Sequence, residues 1–247
     1  MALPRNQIIG IAVAAVVGIA VYSGIKVMTG DGGGVERQLD RLEARDPMVM
    51  AIATNFPAEW PDLRAQIVVD AKSGMSVQQV TERAFVRSRA FMQERAAATA
   101  AASTPTLVQA VRGEAAFISQ LQKDNVQDCA DFAMRGLKPT AALTPAALAL
   151  LSPAVQARVK STREGLDDPV QRPAAGEADW AAVMAGMQAK GLSDAGLAAF
   201  QSPDAAPVAD QCEGGVYLYR AVSELPAEQA ARIYAQMTRE AAQAVAP

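Results

Sequence analysis

The sequence predicts an all-α fold: a single N-terminal transmembrane helix followed by an irregular multi-helix domain. Three observations carry this. No charged residue occurs from Ile8 to Ile25. Pairs of a capping residue and a proline recur at Asp46-Pro47, Thr104-Pro105, Thr144-Pro145, Ser152-Pro153, Asp168-Pro169 and Ser202-Pro203. Apolar residues elsewhere step by three and four, and no alternating stretch of convincing length is present.

In chain order, residues 1–7 form a short tail and residues 8–28 the span. A helix of roughly 20 residues rises about 30 Å, the thickness of a bilayer's hydrocarbon core. Lys26 stands where its stem can snorkel to the headgroups, and Tyr22 suits the interfacial zone. A buried helix of a soluble core would show a polar face. A cleaved signal peptide would have a shorter apolar region and an A-x-A-like site, which Val21-Tyr22-Ser23 imitates poorly. Gly10, Ala14 and Gly18 put small residues on one face, the spacing that lets two spans pack closely into a homo-oligomer; an alanine-rich span also produces it by chance. Cations are sparser before the span (Arg5) than after it (Lys26, Arg37, Arg41, Arg45). The later group is interleaved with Asp31, Glu36, Asp40 and Glu43, and long domains translocate largely regardless of charge. The N-terminus is therefore read as inside, with the large domain periplasmic on a bacterial inner membrane.

Residues 29–46 read as a glycine-rich hinge, Gly30 to Gly34, and a short juxtamembrane helix. The hinge lacks the G-K-[ST] ending of a phosphate loop. Residues 47–247 read as the helical domain, in two lobes joined by a loop near 165–176. Thr or Ser before proline can cap a helix whose first residue needs no N–H. Val77, Val80, Ala84 and Phe91 line one helical face between Ser76 and Ala102. Val111, Ala115 and Ile118 line a second, and Ala230, Ile233, Met237 and Ala241 a third. Gly74 and Gly136 stand where helices close. Ile67-Val68-Val69 is strand-like but sits inside a helical pattern. Aromatics are only 5% of the chain, so the core must come from Ala, Val, Leu and Met, which favours close helix packing.

Chemistry is limited by one absence: the chain has no histidine. That excludes Ser-His-Asp and Cys-His catalysis and His-ligated zinc or haem. No C-x-x-C pair is present, and Ser23-Lys26, an S-x-x-K match, has no companion motif. No cofactor, metal site or catalytic residue is expected. The net charge is −3, and the best basic stripe, Arg83, Arg87 and Arg89, is diluted by Glu82 and Glu94, so nucleic acid is not an expected partner.

In an oxidising compartment the even cysteine count favours a Cys129–Cys212 disulfide. In a reducing one they read as two buried small hydrophobes. Asp124, Asp128 and Asp131 read as helix-start complements and an exposed carboxylate rather than a cation site. Tyr217, Tyr219 and Tyr234 read as core, with Gly214-Gly215 permitting a close backbone approach or loosening a helix start. The expected function is that of a membrane-tethered interaction protein, a scaffold, adaptor or accessory subunit among other envelope proteins. The alternatives are a carboxylate-only hydrolase or lyase of the envelope, and a secreted periplasmic binding protein.

Overall fold

The structure, a computed structural model, describes residue 40, residues 47–138 and residues 140–244. Every regular element among them is a helix. The apolar segment 8–28, with Gly10, Ala14 and Gly18, lies outside the described residues, as does the hinge. Among the described residues no helix is long and apolar enough to cross a membrane.

The helices are α1 (Pro47–Asn55), α2 (Trp60–Lys72), α3 (Val77–Glu94), α4 (Ala96–Ala100), α5 (Thr104–Asp124), α6 (Val126–Met134), α7 (Pro145–Asp167), α8 (Glu177–Ala189), α9 (Asp194–Gln201), α10 (Val208–Glu224) and α11 (Ala227–Ala244). The centre is built from α5, α7, α10 and α11. Helix α5 packs along α7, while α10 packs on α5 and α6, and α11 on α5 and α4. Helix α1 lies on α7, and α8 and α9 lie on α10.

Close approach depends on small residues, as the aromatic-poor composition requires. A Cβ built on Gly113 of α5 would stand 2.9 Å from Ala154 Cα of α7. A Cβ on Gly215 would overlap the Ala133 methyl of α6. Phe117 and Phe132 meet edge to face with centroids 5.2 Å apart, and Tyr219 extends that stack. The alanine-rich stretch after Arg95 is a tightly packed short helix, with Ala96, Ala100 and Ala102 buried. It is separated from α3 by a single-residue break at Arg95, so the pattern from Ser76 to Ala102 forms two helices.

Several helix ends are satisfied by neighbouring residues. The Thr144 hydroxyl accepts from Ala147 N–H and starts α7. Ser76 and Gln79 form a reciprocal capping box at the start of α3. Gly74 and Gly136 have φ of 81° and 85°, the left-handed conformation that favours glycine.

Three of the proline pairs do not start helices. Ser152-Pro153 lies inside α7. Pro153 and Ala149, whose carbonyl loses its intrahelical donor to the proline, are both exposed, so water can satisfy that carbonyl. Asp168 and Ser202 are C-terminal caps of α7 and α9. Ser103, not Thr104, is the cap residue of α5.

Residues 168–176 form a pinned strap. Val170 N–H donates to Ala101 O (2.7 Å), Arg172 donates to Ala100 O and Thr104 Oγ1, and Ala175 N–H donates to Gln236 Oε1 (2.9 Å). One hydrophobic cluster runs continuously past it, from Ile52 of α1 to Met237 of α11.

Candidate functional site

Cys129 of α6 and Cys212 of α10 are joined by a disulfide, with Sγ atoms 2.02 Å apart. Both are buried. Gly215, one turn beyond Cys212, allows α10 to approach α6 at Ala133 closely enough for this bridge. Neither sulfur is a free thiol, so their chemistry is structural.

The three aspartates around Cys129 are tied into the fold. Asp124 accepts from Gln120 Nε2 and Thr144 Oγ1. Asp131 is not the exposed residue its position suggests: it is buried, with Lys138 Nζ at 2.7 Å and Gln127 Nε2 at 3.2 Å. Burial, reinforced by the Asp131 charge, pushes the Asp128 carboxyl above the usual range. Among the described residues no group of three or more Cys, Asp or Glu side chains is arranged to hold a metal ion.

A second polar centre lies deeper, at the meeting of α5, α7 and α11. The Glu114 carboxylate receives Arg158 Nη1 at 3.0 Å and the Tyr234 hydroxyl at 2.7 Å, both on Oε1. Glu114 and Tyr234 are fully buried and Arg158 nearly so. Desolvation raises the Glu114 carboxyl despite the opposing pull of Arg158 and Tyr234. Burial, followed by the Glu114 charge, holds the Tyr219 and Tyr234 phenols well above their usual range. Glu114 Oε2 has no hydrogen-bond partner among the described residues.

The adjoining cavity, lined by Gln93, Arg158 and Thr238 among others, is only about 10 Å³. That is the lower limit for one water and excludes a substrate-sized molecule. Glu114 sits on the same face of α5 as Val111, Ala115 and Ile118. A charge on an apolar stripe is the signal that would have found it.

The candidate functional surface is the arm formed by α2 and α3. The two helices meet over a small separate cluster, Ile67, Val80 and Ala84, outside the main core. The buried Asp70 of α2 is clamped by Arg83 and Arg87 of α3, with Arg83 Nη1 at 3.4 Å. Two of the three candidate basic residues are thereby committed to an internal pair. The third, Arg89, donates to Arg135 O at 3.2 Å, and burial lowers its pKa.

The arm's outward faces carry Val69 and Val86, 65% and 61% exposed, the most exposed large hydrophobics among the described residues. An open hollow beside Val86 is lined by Gln79, Glu82, Arg83 and Arg87. At its base the arm joins the body through Phe91, whose ring meets Phe56 edge to face at 5.0 Å. Asp40 pairs with Arg64 of α2.

The described residues thus define an all-α domain locked by an internal disulfide. Comparison with protein-family models, curated proteins and solved structures finds no match.

Proposed function

We propose that this chain is a membrane-tethered helical interaction protein, a scaffold, adaptor or accessory subunit of a bacterial envelope complex. In this reading residues 8–28 anchor it in the inner membrane and the domain works in the periplasm. The observation that carries the reading is the α2–α3 arm: two helices on a three-residue core that present Val69 and Val86 to solvent. Single exposed valines are ordinary, but two on one projecting element offer apolar contact to a partner. Two further features support it. A buried disulfide suits an oxidising compartment. The cavity beside Arg158, the partner of the buried Glu114, is only about 10 Å³.

The test is a pull-down of the tagged full chain from detergent-solubilised membranes, with mass spectrometry of what accompanies it. Val69→Asp with Val86→Asp should leave the chain in the membrane pellet with its disulfide formed, and should remove its partners. Recovery of the same partners at undiminished yield would overturn the arm as the working surface.

A further inference from the structure

The spacing along one outward face of α2 reads the same in both directions. Asp62, Ala65, Val69 and Lys72 follow one another at steps of three, four and three, so they form a single stripe. All four are exposed, while Ile67 and Asp70 face α3 and are buried. The spacing is that of alternating a and d positions in a helix–helix seam. Reversing the helix exchanges Asp62 with Lys72 and Ala65 with Val69.

From this self-complementarity we infer that the face is occupied by a second copy of this chain, with the two α2 helices antiparallel about a two-fold axis. Asp62 of each copy then meets Lys72 of the other, and Val69 of each packs into the space beside the other's Ala65. This is the isologous arrangement of a two-fold interface. A parallel arrangement would set Asp62 on Asp62 and Lys72 on Lys72, so charge selects the antiparallel register. The outward face of α3, with Val86, remains available for other partners.

Size sets the condition under which the pairing forms. A helix the length of α2 spans about 20 Å. One such crossing falls short of the roughly 1,200 Å² buried by stable complexes. The pairing is therefore favoured by the high local concentration of molecules held on one membrane, and in that respect its strength rests on the tethered reading above.

The experiment uses the full chain, in cells, with Ala65→Cys and Val69→Cys added and mild oxidation applied before non-reducing electrophoresis. A covalent dimer is expected. Adding Asp62→Lys, or separately Lys72→Asp, should reduce its yield at least fivefold, because each single reversal sets like charges against each other. Co-expressing those two reversed chains with different tags should restore a mixed dimer to within twofold of the parent, because both cross-helix pairs are then opposite in sign.

Absence of a dimer overturns the inference, as does a dimer indifferent to the reversals or a failure of the mixed pair to recover. Cross-linking to a different protein instead assigns the face to that partner and also overturns it. All four positions are exposed, and the buried Cys129–Cys212 bridge, located by mass spectrometry, reports folding in every variant. Carbonate extraction of the same cells tests the tether separately. A soluble chain with a charge-dependent dimer removes the tether and keeps the pairing, whereas a membrane-bound chain without dimer does the reverse.

Discussion

Gly165, near the end of α7, lies against the backbone of Ala98 in α4, where a Cβ would overlap the Ala98 carbonyl oxygen. The obstacle is main chain and cannot rotate away. Gly165→Ala should therefore separate α7 from α4 and lower stability by about 3 kcal/mol or more. Gly113→Ala, which meets Ala154 Cα at 2.9 Å, should cost about 1–3 kcal/mol. Urea unfolding of the two variants beside the parent measures the order. Equal, small effects would mean that the helices are not this close.

Replacing both cysteines, Cys129→Ala with Cys212→Ala, opens a loop of 83 residues. The chain-entropy argument sets the loss at roughly 4–5 kcal/mol as an upper figure, which lowers Tm by roughly 10 °C for a domain of this size. Calorimetry of the double variant tests the value. Peptide mapping without reductant tests the bridge itself, and free thiols at both positions would remove its basis.

The Glu114–Arg158 pair is expected to matter more when half of it is missing than when both members are. Glu114→Ala strands a buried guanidinium and should cost about 3–5 kcal/mol. Changing Glu114 to Leu together with Arg158 to Met should recover most of that. Tyr234→Phe removes one of the two donors to the carboxylate and should cost about 1–3 kcal/mol. Denaturant midpoints at constant m decide this. A double variant no better than Glu114→Ala would show that the pair does more than satisfy itself.

Asp179 ties the start of α8 to α11. It accepts Arg232 Nε at 3.2 Å and Nη2 at 2.8 Å, and the Gly176 N–H at 3.0 Å. The Arg232 hydrogen bonds hold its carboxyl below the ordinary value of 3.8. A carboxylate depressed in the folded state contributes stability that is full above pH 3.8 and is lost as the pH falls through the lower folded value. Asp179→Asn should thus cost about 1–2 kcal/mol at neutral pH. The gap to the parent should close below pH 3.8. Stability measured stepwise from pH 7 to 2 tests the sign, and a gap that widens in acid would contradict it.

What the sequence made legible is what depends on neighbouring residues. Thr144 before Pro145, Ser76 with Gln79, and glycines at 74 and 136 each satisfy a helix end locally, and the structure uses each one. Ser152-Pro153 carries the same signature and starts nothing. Its proline falls on the solvent side of α7, where a carbonyl without its helical donor can turn to water. The core tyrosines 219 and 234 and the Gly215 contact were also readable, because aromatic residues are scarce in this chain and these two follow the Gly214-Gly215 pair.

Long-range chemistry was not readable. Glu114 and Arg158 are 44 positions apart, and only the α5–α7 packing makes them partners. Asp131 becomes buried because the segment after α6 folds back and brings Lys138 over it. The candidate surface was hidden for the converse reason. Val69 looks like a core residue of its helix until α3 is seen to cover only the other side.

The small cluster beneath the arm also bears on motion. Elements held by few buried side chains open at lower free energy than the body they stand on. Beyond its base, where Trp60 of α2 and Met92 of α3 belong to the main cluster, the arm is held by Ile67, Val80 and Ala84, whereas α5, α7, α10 and α11 share the main cluster. Amide hydrogens of α2 and α3 should accordingly exchange with solvent through a partial opening of the arm, while those of the central helices wait for global unfolding. Anything that settles on the arm closes that route, so slowed exchange confined to α2 and α3 would record an occupant before its identity is known.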